Sequence, residues 1–97
     1  MINYLKEYVD EDTIIEMLER YDPAFISQFE IYKEDTIKII EFMKQAGITV
    51  IEGLLIYMPS VFMMNYDEFI NKVSKLDLPE LVKNVNNDYV AMDDIFE

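Results

Sequence analysis

Apolar residues recur along the chain at intervals of three and four, the spacing of one face of an α-helix. Tyr4, Leu5 and Tyr8 are expected to line a short first helix. Asp10-Glu11-Asp12 precedes Thr13 and Glu16, which have the spacing of a capping box, and the acids suit the positive end of a helix dipole. Ile14, Ile15, Leu18 and Tyr21 follow as the expected buried face. Asp22-Pro23 both stops that helix and starts the next, because Asp caps and Pro is tolerated at the first helical position. Phe25, Ile26, Phe29 and Tyr32 continue the apolar face.

Glu34-Asp35-Thr36 opens a stronger helix carrying Ile37, Ile40, Met43 and Ala46, and Gly47 stands where a left-handed C-cap belongs. Thr49 and Glu52 repeat the capping-box spacing ahead of Ile51, Leu54, Leu55 and Met58. The competing expectation for residues 48–57 is a strand, since they are rich in Ile, Val and Leu. Pro59 ends that turn or opens the next. Asp67 is expected to cap a helix bearing Phe69, Ile70, Val73 and Leu76, and Pro79 fits the first turn of one bearing Leu81, Val82 and Val85. Residues 86–97 are polar and acidic, with Tyr89, Ile95 and Phe96 interspersed, and read as a frayed or docking tail. The fold expected is all-α, a single domain of five or six short helices in a compact bundle or a two-copy helical repeat.

An internal echo favours helix over strand. Residues 15–23, IEMLERYDP, and 51–59, IEGLLIYMP, agree at five of nine positions without a gap. After each Pro come a Phe-containing segment, an acidic cap and an amphipathic helix, the arrangement of a helical repeat. Pro59-Ser60-Val61-Phe62, Asn65, Asp67-Glu68-Phe69, Lys72-Val73 and Leu76-Asp77-Leu78 together resemble the helical repeat of the mitochondrial transcription termination factor family. The stretch from Pro23 to Ile48 is similar to a looser copy, so the resemblance spans roughly residues 13–85. It implies a repeat architecture. That family is basic, nucleic-acid-binding and several repeats long, whereas this chain is acidic, so the family's activity is not carried over.

Composition narrows the chemistry. Among 97 residues there is neither Cys nor His, which removes disulfides, thiolate nucleophiles and the usual proton shuttle and metal ligand. Ser27, Ser60 and Ser74 therefore have no imidazole to activate them. Gly47 and Gly53 do not make a phosphate-binding loop, and Asp10-Glu11-Asp12 lacks the Gly and Glu of an EF-hand. No metal or cofactor is expected, and no catalytic residue. A carboxylate-based enzyme would need one acid with its pKa raised by burial. Residues 1–8 do not have the pattern of a signal peptide, and the most apolar stretch, Gly53 to Met64, is shorter than the roughly 18 residues of a membrane span. With no cysteine, a cytoplasmic protein is the expectation.

The charge bears most on function. The formal net charge is −12, and the ends, residues 1–22 and 67–97, each carry −5 of it. Direct binding of nucleic acid needs cations to displace condensed counterions, so phosphate is repelled here. A basic protein is attracted. Glu7, Asp10, Glu11, Asp12, Glu16 and Glu19 form one candidate partner surface, and Asp88, Asp93, Asp94 and Glu97 another. Tyr57, Met58, Phe62, Met63, Met64 and Tyr66 cluster around Pro59. They are either core or, where exposed, an adaptable apolar interface.

The expectation is a non-catalytic domain that works through protein contact. In its sharper form it inhibits or modulates a partner by occupying a basic nucleic-acid-binding surface in place of phosphates. The Ile-, Asn- and Lys-rich composition suits an AT-rich bacterial or phage genome, and a phage or mobile-element origin is compatible with it. The rivals are a helical-repeat nucleic-acid binder using Lys33, Lys38 and Lys44, and a homo-oligomeric structural module joined through residues 53–64. Net charge also serves simply to keep molecules apart in solution.

Overall fold

The computed structural model describes residues 2–96. Its α-helices are α1 (Glu11–Arg20), α2 (Pro23–Ile26), α3 (Gln28–Ile31), α4 (Lys33–Ala46), α5 (Ile51–Tyr57), α6 (Tyr66–Ser74) and α7 (Leu78–Asn87). Three 3-10 segments accompany them: η1 (Ile2–Glu7), η2 (Pro59–Phe62) and η3 (Tyr89–Phe96). Among the described residues there is no strand, so residues 51–57 are helical, and the elements outnumber the five or six expected because short turns split off at Pro23, Gln28 and Pro59.

Local chemistry explains most boundaries. Asp22 caps α2 by accepting from the Phe25 N–H at 2.8 Å, with Pro23 at the first turn. Asp77 does the same for α7, ahead of Pro79. Gly47, with φ at 98°, ends α4 in a Schellman motif: its N–H donates to the Lys44 carbonyl and the Ile48 N–H to the Met43 carbonyl. Three expected caps move. Asp10, not Thr13, caps α1, accepting from both the Thr13 N–H (2.9 Å) and its hydroxyl (2.6 Å). Asn65, not Asp67, caps α6, accepting from the Asp67 and Glu68 N–H groups. Thr49 caps nothing. Its N–H and hydroxyl donate to the Asn86 side chain, which in turn donates to the Gly47 carbonyl, tying the α4–α5 connection to α7.

The helices enclose one core, in which Phe29, Ile39, Ile40, Met43, Leu54, Leu55, Val61 and Phe62 are buried, with Leu5, Met17, Phe69 and Val85. α4 is the central element and packs against α3, α6, α7 and η2. α1 lies against η1 and α5. Tyr21 fastens the end of α1 to α5 by donating to the Ile56 carbonyl at 2.7 Å. The buried Thr36 donates to the Phe62 carbonyl at 2.7 Å, joining α4 to η2. The chain's end is docked: η3 returns over α6 and α7 and buries Met92 and Ile95. The Cα radius of gyration, 12.7 Å, is close to the ~12.5 Å of a globular chain this long.

The echoing segments 15–23 and 51–59 fall in and just after α1 and α5, which pack on each other. Each leads to a proline-started turn, α2 or η2, and then to a longer helix, α4 or α6, and these also pack together. The two copies differ in rotation. In α1 the buried residues are Thr13, Ile14 and Met17, not Ile14, Ile15 and Leu18. Ile15 is 45% exposed and Leu18 44%, whereas their counterparts Ile51 and Leu54 are 3% and 0% exposed.

Candidate functional site

The acids of α1 stand on its solvent side. Glu11, Asp12, Glu16 and Glu19 are all exposed, as is Glu7 on the adjoining η1. At 1.5 Å of rise per residue, the four carboxylates from Glu11 to Glu19 are separated along the axis by about 1.5, 6 and 4.5 Å, an average of about one per 4 Å. One strand of a nucleic acid places a charge about every 3.4 Å. Asp10 belongs to the same end but has a structural task, since its two bonds from Thr13 hold its carboxyl below the usual carboxylate range.

The nearest base is directed elsewhere. Arg20 lies over the Tyr57 ring at 4.7 Å and beside Tyr21 at 5.9 Å. Tyr21 stacks on Phe25, and Tyr57 on Tyr89. The guanidinium thus joins two aromatic pairs contributed by the end of α1, α2, α5 and η3. Lys33, Lys38 and Lys44 likewise sit over tyrosines, at Tyr4, Tyr66 and Tyr8 respectively, and Lys44 also donates to the Tyr8 carbonyl. Lys33 therefore faces η1, Lys44 faces the turn just after η1 and Lys38 faces α6, so the three do not form one strip.

The acids of the second group have different surroundings. Asp88 caps the turn into η3 by accepting from the Val90 N–H. Asp93 borders a cleft of about 370 Å³ with Tyr21, Phe25, Tyr57 and Phe96. Asp94 borders a different cleft, of about 200 Å³, beside Asp77 and Glu80. Glu97 lies outside the described residues. Among the described residues no group of three carboxylates is arranged to hold a metal ion.

The Met and aromatic cluster divides. Phe62 and Met64 are buried and belong to the core, because η2 packs into α4. Met58, Met63 and Tyr66 are half-buried, and Tyr57 is exposed. The exposed apolar surface at this end of the molecule comes largely from residues that helical periodicity assigns to the core. Ile15 and Leu18 project from α1, and Leu18 with Tyr21, Pro23, Ile26, Ser27 and Glu30 lines a groove of about 420 Å³ between α1 and the α2–α3 turn. The Tyr21 ring, held by its bond to Ile56, is the wall shared with the Asp93 cleft.

Comparison with protein-family models, curated proteins and solved structures finds no match. No helix among the described residues is long and apolar enough to cross a membrane.

Proposed function

We propose that this chain is a non-catalytic, acidic protein-interaction domain acting in the cytoplasm. It engages the basic, nucleic-acid-binding surface of a partner protein and inhibits or modulates it by presenting carboxylates where phosphates would lie. The observation that carries this reading is the exposed group Glu11, Asp12, Glu16 and Glu19, whose mean charge density along α1, about one per 4 Å, is of the order of the one per ~3.4 Å of a nucleic-acid strand. The guanidinium of Arg20 lies over the Tyr57 ring and beside Tyr21, and α1 carries four exposed acids against this one base. A net charge of −12 adds long-range attraction for a basic partner and repels nucleic acid itself. The absence of cysteine supports the compartment.

The test is affinity capture from the native cell at low and high ionic strength, using the wild-type chain and a variant with Asp12→Asn, Glu16→Gln and Glu19→Gln. Asp10 is left intact because it caps α1. The expected result is a basic partner retained at low salt, released at high salt and lost by the variant. Equal capture by the variant at both salt concentrations removes the reading.

A further inference from the structure

We infer that the groove between α1 and the α2–α3 turn is the docking site for apolar anchor residues of a basic amphipathic helix. This inference rests on the acidic interaction reading above and names how that partner would be gripped.

The groove volume of about 420 Å³ falls in the roughly 300–1,000 Å³ range of binding pockets. Its walls are chiefly carbon: Leu18, Ile26, Pro23 and the face of Tyr21, with Ser27 and Glu30 at the edge. Among the described residues no buried side-chain nitrogen or oxygen lacks a hydrogen-bond partner. A polar small molecule would therefore find no waiting donor or acceptor buried there, whereas an apolar side chain requires none.

The internal echo says what kind of face this is. Ile51 and Leu54 occupy the same places in the second copy and are covered, whereas Ile15 and Leu18 are nearly half exposed. The described residues leave nearly half of each of these two apolar side chains uncovered.

Charge then selects the occupant. Glu11 lies one and two helical turns before Ile15 and Leu18, and Glu19 lies one turn after Ile15, so exposed carboxylates flank the apolar residues along α1. No Lys or Arg lines the groove. A second copy would bring another −12 to this face, and a nucleic acid would bring phosphates; both are repelled. A helix with Leu or Phe at i, i+3 and i+4 and Lys or Arg around them satisfies the apolar walls and the flanking carboxylates together.

The experiment uses the full chain and two labelled helical peptides. One is built of Leu and Lys with Leu at i, i+3, i+4 and i+7, and the other has Ser in place of every Leu at the same charge. The expected result is tighter binding of the Leu peptide, with amide NMR shifts centred on residues 15–30. Leu18→Ser should weaken it about tenfold, whereas Val90→Ser, at an exposed residue away from the groove, should leave it unchanged. Ile15→Ser provides a second variant on the exposed face and should act in the same direction. Equal binding of the two peptides overturns the groove while leaving the acidic reading standing. Binding of neither peptide overturns both. Equal loss in Leu18→Ser and Val90→Ser, or a dimer in sedimentation that Leu18→Ser dissociates, also overturns the inference.

Discussion

Tyr4 shows how a single side chain ties stability to pH. Its hydroxyl donates to the Phe29 carbonyl at 2.8 Å, joining η1 to α3. Burial pushes its pKa up from the usual value near 10 to about 12; Thr36 opposes the rise and Glu30 adds to it. Tyr8 is raised in the same direction, by burial and then by Glu41 and Glu7. Between pH 10 and 12 the unfolded chain loses the Tyr4 proton while the folded protein retains it. The unfolded state then binds fewer protons, so stability falls as pH rises through this window. Urea titrations at pH 8 and pH 11 should show the loss. Tyr4→Phe should cost about 0.5–1.5 kcal/mol at pH 8, the net worth of the hydrogen bond, and make the alkaline decline shallower.

At the scale of elements, the end of α4 is the most sharply specified. Gly47 adopts a positive φ, and a Cβ there would meet Val82 at 3.8 Å, an ordinary contact. The cost of Gly47→Ala is therefore conformational, about 1–2 kcal/mol, and thermal unfolding should shift down by several degrees. Gly47→Asn should cost less, because Asn tolerates the left-handed region. The loss would extend beyond the helix end, since the Asn86 side chain binds both the Gly47 carbonyl and Thr49. The same scale explains why the acidic row must be tested without touching Asp10. That carboxylate starts α1, so replacing it would confuse binding with folding.

For the whole molecule, charge sets the response to salt. The principal extents are 34 × 25 × 23 Å, comparable to a Debye length of about 30 Å at 0.01 M salt and well above the ~8 Å at 0.15 M. At low salt nearly every carboxylate repels every other across the fold, and at physiological salt only neighbours do. The melting temperature should therefore rise as sodium chloride is raised from about 0.01 to 0.15 M. A flat profile by calorimetry would mean that self-repulsion contributes nothing to stability.

Helix content, the Asp-Pro start at residue 22, the αL stop at Gly47 and the proline start at Pro79 were all legible in the sequence, because each depends on atoms within a turn or two of chain. Composition likewise sufficed for the negative charge and the lack of imidazole and thiol chemistry. The rotation of α1 was not legible. Ile14, Ile15 and Leu18 satisfy helical periodicity as well as Thr13, Ile14 and Met17 do, and only packing on α5, with Tyr21 bonded to Ile56, decides which stripe faces inward. That rotation of α1 puts Ile15 and Leu18 outside and opens the groove. The docking of η3 through Met92 and Ile95, and the division of the Met and aromatic cluster at Phe62, were likewise tertiary decisions. Periodicity tells which residues share a face, but a helix with two apolar stripes is oriented only by the surface it meets.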